Sequence, residues 1–309
     1  MACCGIREGA ESPAAASPAA VASTPPSPCC PASGLGPAAE PEGYEPKGSM
    51  QDLGGISCYV VGQGTSAVVV AHDVFGLRSG RTRQICDELA AALSVYVVAP
   101  VFWENEGCCG GERSATAISE AMGCPGQQRS DGVWSSMMKI KSAVYHAPSW
   151  YRQLKTTKWD VVGPKLHDQI LPVLKGWGVG KIGVLGFCWG GWVAFKSSSS
   201  EQLCCAVSCH PSQVDLCGLH SDNFRQVCED IKCPQMVLSA GDDKKDTKTG
   251  GLAEKVLSTK AFGGDCVFKT FDDMKHGWVN RGELTNPTVA RDYKEAYDLF
   301  VGFFQKHLS

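Results

Sequence analysis

The strongest constraint on this chain is an alternation, from Leu53 onward, of short β-branched runs with amphipathic helical segments. The runs that we predict as strands are 56–61, 67–71, 95–99, 181–185, 203–209, 235–240 and 266–271. Apolar stripes predict a helix around 85–93 and a closing helix through Tyr293, Ala296, Phe300 and Phe303. Strands alternating with helices form a mostly parallel sheet covered on both faces, so we expect a doubly wound α/β domain. Within it, 56–61 and 67–71 are predicted to be neighbouring strands.

Residues 1 to about 48 differ in composition from the rest of the chain. They hold nine of the 17 prolines and eleven alanines but only one aromatic residue, Tyr44. Such a segment cannot bury enough apolar surface to offset the entropy of ordering it, so we predict that 1–48 is disordered and that 49–309 is the folded domain. Cys3 and Cys4 could carry palmitoyl groups, although two unmodified thiols is the interpretation that we favour.

A second stretch, at about 104–160, does not fit the alternation of strands and helices. It is rich in Gly, Ser, Cys and scattered aromatic residues. Ligands of open α/β sheets bind outside the carboxyl ends of the strands. We therefore interpret 104–160 as an insertion or lid over that edge of the sheet.

Charge and cysteine usage exclude several classes of protein. The net charge is -3 with 29 Lys+Arg against 32 Asp+Glu, and there is no basic stripe for a phosphate backbone, so nucleic acid is not expected as a partner. No apolar run reaches the roughly 18 residues of a membrane span, and no secretory signal opens the chain, which favours a cytoplasmic protein. The 17 cysteines are odd in number and form no C-x-x-C, so we expect mostly free thiols and no metal site.

The central motif is Gly186-Phe187-Cys188-Trp189-Gly190-Gly191. It follows a predicted strand and opens a helix, the context of a nucleophile elbow, in which a tight turn lifts the central side chain above the sheet edge. A packed cysteine in a glycine-rich turn is the alternative interpretation. The motif predicts Cys188 as a nucleophile.

A cysteine nucleophile needs a base to take its proton and a carboxylate to orient that base. His276 lies on a loop between the predicted strand 266–271 and the final helix, where a hydrolase of this topology places its base. The strand before it ends in Gly241-Asp242-Asp243, which supplies two candidate acids. Strand side chains alternate in direction, so only one of the two aspartates can face His276. Asp243 is preferred, with Asp242 pointing to solvent, and the reverse register is left open.

The strand 67–71 ends at the same predicted edge with Asp73, Val74 and Phe75. Backbone N–H groups there can face the oxygen of an acyl group, so Val74 and Trp189 are the predicted oxyanion hole. Asp73 would then lie close to Cys188, an unfavourable place for a carboxylate unless it has a role. A turn or helix-capping aspartate is the alternative.

With these motifs together, residues 29–309 resemble the dienelactone hydrolase family, whose members carry a cysteine elbow of the G-F-C-x-G-G type. The matching motifs, in order, are the opening 29–31 with 53–60, Asp73 to Gly76, the elbow, His210-Pro211-Ser212 and His276-Gly277-Trp278. The resemblance implies an α/β-hydrolase fold. It also implies that Asp73 interacts with the resting thiol and that Arg281 helps to hold a carboxylate of the substrate.

The function expected from these residues is hydrolysis of a small ester or lactone through an acyl-enzyme on Cys188. The partner is then a small-molecule ester or lactone, no cofactor is implied, and the protein is a monomer or a homodimer. Two alternatives stay open: a non-catalytic binding or interaction protein built on a hydrolase fold, and a thioesterase or other acyl esterase.

Overall fold

A computed structural model describes residues 33–36, 38–102 and 157–309 of the chain. These residues form an eight-stranded sheet in the order β1-β2-β4-β3-β5-β6-β7-β8. The strands are Ser49–Leu53 (β1), Ile56–Val61 (β2), Ser66–Ala71 (β3), Tyr96–Pro100 (β4), Lys181–Phe187 (β5), Cys205–Cys209 (β6), Gln235–Ala240 (β7) and Val267–Phe271 (β8). Only β1 with β2 and β2 with β4 pair antiparallel; β4, β3 and β5 to β8 are parallel. The predicted α/β class is confirmed.

Helices cover both faces of this sheet. In chain order they are Thr82–Leu93 (α1), Trp159–Pro164 (α2), Leu171–Gly176 (α3), Trp189–Ser197 (α4), Gln213–His220 (α5), Phe224–Asp230 (α6), Leu252–Leu257 (α7), Trp278–Arg281 (α8) and Pro287–Leu308 (α9), with a π-helical turn at Lys165–Ile170 joining α2 to α3. One apolar core lies under α2 to α4. The other lies under α1 and α9, and the predicted stripe residues Ala296, Phe300 and Phe303 are buried in it.

The two strands expected to be neighbours are separated in the sheet. β4 lies between β2 and β3, and β2 runs antiparallel to β4. The connection from β2 to β3 passes close to the residue before β4, where a Cβ on Gly62 would lie 2.2 Å from the carbonyl oxygen of Val95. Hydrophobic periodicity reports which face of a strand is buried, and it does not report which strand lies alongside.

The folded domain begins before residue 49, so the predicted disorder is wrong for the described residues of 33–48. Asp87 is buried on α1 and accepts hydrogen bonds from Tyr44 Oη at 2.6 Å, from Lys47 N at 3.0 Å and from Tyr59 Oη at 2.5 Å. Glu40 forms a salt bridge with Arg83 on the same helix. These contacts are polar, which is why an argument based on apolar composition missed them. The edge strand β1 was also not predicted.

The predicted lid at 104–160 lies, up to residue 156, outside the described residues. Among the helices that the structure describes, none is long and apolar enough to cross a membrane. The ten cysteines within the described ranges are all free thiols, as the sequence predicts.

Candidate active site

Cys188 lies at the tip of the turn between β5 and α4. Its backbone has φ 55° and ψ -112°, a conformation that costs a non-glycine residue of order 1–3 kcal/mol and occurs mainly at functional sites. The Cys188 N–H donates to the carbonyl of Cys209 on the neighbouring strand at 3.2 Å. A Cβ on Gly190 would lie 2.0 Å from the carbonyl oxygen of Ala71, so the turn needs glycine there. The strained elbow predicted from the motif is thus present.

His276 and Asp243 are joined by a hydrogen bond of 2.6 Å between Nδ1 and Oδ1. Both side chains are only 1% exposed. The second oxygen of Asp243 accepts from the backbone N–H of Ala240 at 2.7 Å, so both carboxylate oxygens are used. Burial raises the pKa of Asp243 above 3.8, and the neighbouring His276 opposes this shift. Asp243 therefore holds the imidazole ring of His276 by its Nδ1 atom.

His276 also lies close enough to Cys188 for the charge of that side chain to act on the imidazole ring. Burial acts to lower the pKa of His276, but the negative charges of the Cys188 thiolate and the Asp243 carboxylate outweigh it and raise that pKa from 6.5 to about 10. A histidine that stays protonated across neutral pH stabilises a thiolate beside it. The structure thus brings Cys188, His276 and Asp243 together in the order that the sequence predicts.

We expected Asp242 to point into solvent, but in the structure it also holds the loop that carries His276. Its Oδ1 accepts from the backbone N–H of His276 at 2.6 Å, and its Oδ2 accepts from the hydroxyl of Ser33. The alternation argument assumed that both aspartates continue the strand. In fact β7 ends at Ala240, and the two residues lie in the turn beyond it, where alternation no longer applies.

Asp73 and Arg281 form a completely buried salt bridge with each other. Asp73 also accepts from the Asn280 amide at 2.7 Å and from the Phe75 N–H at 2.8 Å. The Arg281 guanidinium lies 4.7 Å from the centre of the Phe75 ring. The resemblance implied that Asp73 lies beside the thiol and that Arg281 binds the substrate, and the pairing of these two charges was not predicted. Asn280 was missed altogether.

The two residues predicted for the oxyanion hole lie at the same edge of the sheet. Ala71, the last residue of β3, pairs with Gly186 near the end of β5, so the chain leaves both strands side by side. Val74 follows β3 by three residues and Trp189 is the first residue of α4. Both are buried.

Two further residues near the thiol had only been part of the family resemblance. Ser212 Oγ lies 3.4 Å from Cys188 Sγ, and the Ser212 N–H donates to the Cys188 carbonyl at 3.1 Å. His210, with φ 38°, packs its ring edge-on to His276 with 5.1 Å between centroids. Burial, helped by His276 and Arg281, lowers the pKa of His210 well below 6.5. The motif His210-Pro211-Ser212 was the only signal in the sequence for either residue.

Within the described ranges, no group of His, Cys, Asp or Glu side chains has an arrangement that could hold a metal ion. A buried thiol, a protonated histidine and an orienting carboxylate form the constellation used for nucleophilic acyl transfer.

Comparison with known proteins identifies the family. Two Schizosaccharomyces pombe proteins of the AIM2 family, both uncharacterized, are 28% and 29% identical to this chain; each alignment covers 90% of this chain, and 99% and 98% of the relatives. The structure of a Mycobacterium tuberculosis puromycin-hydrolyzing peptidase shares the fold, with a TM-score of 0.52 at 12% identity over 85% of this chain and 40% of that one. The sequence pattern of the dienelactone hydrolase family matches residues 56–308. The chain therefore belongs to the dienelactone hydrolase family.

Proposed function

We propose that this protein is a cysteine-dependent hydrolase of small esters or lactones, with Cys188 as nucleophile, His276 as base and Asp243 as orienting acid. One observation carries the proposal: the buried His276 is hydrogen-bonded to Asp243 through Nδ1 and interacts through charge with Cys188, at the carboxyl edge of the sheet. A structural cysteine in an apolar setting has its pKa raised by burial, as Cys58 does, to about 12. Cys188 instead faces a protonated histidine, which is the environment of a reactive thiolate.

In the first half of the proposed reaction, the Cys188 thiolate attacks the carbonyl carbon of the ester or lactone. The carbonyl π electrons move to oxygen, and the resulting oxyanion accepts hydrogen bonds from the N–H groups of Val74 and Trp189. The intermediate then collapses, the C–O bond breaks, and the leaving alkoxide takes the proton from His276. The products of this half are a thioester on Cys188, an alcohol and a neutral imidazole.

In the second half, neutral His276 takes a proton from water, and the hydroxide attacks the thioester carbon. Collapse of this intermediate breaks the C–S bond, which regenerates the thiolate beside a protonated histidine and releases the carboxylic acid. The imidazole is a competent base at this stage because acylation has removed the Cys188 charge that raises its pKa. Asp243 keeps Nδ1 protonated throughout, so that Nε2 handles every proton transfer.

In this proposal the Asp73–Arg281 pair forms part of the wall of the site. Each charge compensates the other, and breaking a buried pair leaves an uncompensated charge at a cost of about 3–5 kcal/mol. A substrate carboxylate would have to compete with Asp73 for Arg281. Such competition favours an uncharged ester or lactone over the carboxylate-bearing substrate that the resemblance implies.

The test is hydrolysis of p-nitrophenyl acetate and of a simple lactone by the wild type and Cys188→Ala. We expect the variant to lose at least about 10³-fold in kcat/KM while its melting temperature stays within a few degrees. Cys228→Ala is the matched control, because it removes another fully buried thiol, on α6, and should keep full activity. Hydrolysis retained by Cys188→Ala would exclude Cys188 as the nucleophile.

A wild type that cleaves neither substrate would favour the non-catalytic binding protein instead. A thioester substrate included in the same series separates the remaining alternative, because a thioesterase would prefer it over the oxygen ester. Cys188→Ser tests the need for a thiolate specifically. Its hydroxyl has nearly the same shape but is much harder to deprotonate with the same base, so it should be almost inactive.

A further inference from the structure

We propose that residues 33–36, which we call the N-terminal strap, are a positioning element of the active site and hold the loop of His276 in its reactive place. This inference rests on the function proposed above. Among the described residues, the strap makes three hydrogen bonds, and each one ends on a group of the candidate site. Leu35 N–H donates to the carbonyl of His276 at 2.8 Å. Arg281 Nη2 donates to the Leu35 carbonyl at 3.1 Å, and Ser33 Oγ donates to Asp242.

The first of these bonds completes a clamp on the backbone of His276. Asp242 accepts from the backbone N–H of His276 at 2.6 Å, and the Leu35 N–H donates to the backbone carbonyl of His276. Both backbone polar groups of His276 are therefore held by residues outside its own loop. The Ser33 hydroxyl in turn holds Asp242. The strap therefore acts on the histidine directly through Leu35 and indirectly through Ser33.

The second contact ties the strap to the buried Asp73–Arg281 pair. Arg281 donates to Asp73 and to the Leu35 carbonyl through different nitrogens. Because an arginine fork presents its donors in a rigid plane, fixing one nitrogen also fixes the direction of the other. Leu35 thus connects the two residues, because its N–H binds His276 and its carbonyl binds Arg281.

The strap can be separated from the part of the N-terminal segment that supports the fold. Residues 38–48 have their own contacts with the domain, at Ala38 O with Gly80 N, at Glu40 with Arg83 and at Tyr44 with Asp87. A chain that starts after residue 36 keeps all of these. It loses the hydrogen bonds that end on His276, Arg281 and Asp242, and the packing of the Leu35 side chain against the core.

The expected effect of losing the strap is on kcat. A catalytic group displaced by about 1 Å can lose on the order of 10²-fold in rate, and the strap holds His276 without contributing any group to the chemistry. We expect removal of residues 1–36 to lower kcat by about 10- to 100-fold with little change in KM for a small ester. Removal of residues 1–32, which leaves the strap in place, is the matched control and should change neither.

A paired substitution tests the key hydrogen bond without shortening the chain. Leu35→Pro removes the N–H that donates to His276, whereas Leu35→Ala keeps this N–H and loses the same packing, since the Leu35 side chain is partly buried against the core. Leu35→Pro should reproduce the fall in kcat, and Leu35→Ala should not. This pair decides the question if the shorter chain proves too unstable to assay.

Titration of His276, followed by NMR of its ring, provides a readout that does not depend on substrate turnover. With the strap removed, we expect the His276 titration to move down from its high position, because the ring is no longer held against both Asp243 and Cys188. A purely structural role would lower the melting temperature and leave this titration in place. Equal kcat and equal titration for the chains lacking 1–32 and 1–36 would overturn the proposal.

The outcomes separate this inference from the proposed function. If the full-length protein hydrolyses no ester, the proposed function fails, and the His276 titration still decides the role of the strap. If the full-length protein is an active Cys188-dependent hydrolase and the strap variants match it in both readouts, the strap proposal alone fails.

Discussion

Asp243→Asn is the change that tests the candidate triad most severely, because it removes one charge and keeps the shape of the side chain. In the structure the two carboxylate oxygens accept from two different donors, the Nδ1–H of His276 at 2.6 Å and the N–H of Ala240 at 2.7 Å. An asparagine offers one acceptor and one donor in the same place. One of the two partners must therefore meet an N–H group.

Both orientations of the new amide are unfavourable, and their costs can be estimated. If the amide oxygen faces His276, the Ala240 N–H faces another donor in a buried site, and this costs about 1–3 kcal/mol of stability. If the amide nitrogen faces His276, Nδ1 must become the acceptor, and the proton moves to Nε2, which then cannot take a proton from Cys188 or from water. That wrong tautomer lowers kcat on the order of 10⁴-fold in a serine-protease triad. We expect a loss of at least 10³-fold here.

The assay is kcat/KM for p-nitrophenyl acetate, with circular dichroism and thermal melting to establish that the variant is folded. Asp242→Asn is the matched control on the adjacent residue. Its amide oxygen can still accept from the His276 N–H, and its amide nitrogen faces the Ser33 hydroxyl, which can accept as well as donate. We expect this variant to stay within about threefold of the wild type, since no donor is left without an acceptor.

The two variants together refute the reasoning in distinct ways. A severe loss for Asp242→Asn with a mild one for Asp243→Asn would show that Asp242 is the orienting acid. Equal and mild effects would show that His276 works without a carboxylate partner, which would favour the binding protein over the enzyme.

Two further predictions concern the thiol and the elbow. Because His276 stays protonated up to a pH of about 10, the rate of Cys188 alkylation by iodoacetamide should change less than tenfold between about pH 6 and 9, as measured by peptide mass spectrometry. The alkylation rate of a thiol such as Cys58, with a pKa of about 12, should rise about tenfold per pH unit. A similar rise at Cys188 would refute the ion pair between Cys188 and His276. Gly190→Ala should lower the free energy of unfolding, measured by urea denaturation, by about 3 kcal/mol or more, because its Cβ would meet the Ala71 carbonyl. Gly302→Ala is the control: the space around its Cβ is open, so its free energy of unfolding should rise by about 0.5–1 kcal/mol. Equal stabilities of the two variants would contradict the close approach at Gly190.

Much of the site could be predicted from the sequence because its signals are local. The elbow is six consecutive residues, and the flanking glycines, the preceding apolar run and the following helix are all read within a short window. The position of His276 after the last strand follows from chain order in a parallel sheet, since strand ends meet at one edge. The same reasoning led to Asp242 and Asp243 as candidate partners, and the preferred Asp243 is hydrogen-bonded to His276, although the alternation used to place Asp242 failed in a turn.

The contacts that depended on tertiary structure join residues far apart in sequence through polar groups. Asp73 pairs with Arg281, and Leu35 binds the backbone of His276; neither pairing leaves a periodic pattern in the chain. Apolar burial repeats along a helix or strand, so a sequence reveals it. A hydrogen bond or salt bridge between distant loops is decided only when the folded sheet brings both partners to one edge. For this reason the sequence alone determined the fold class and the three side chains proposed for catalysis, whereas the tertiary structure decided what holds them in place.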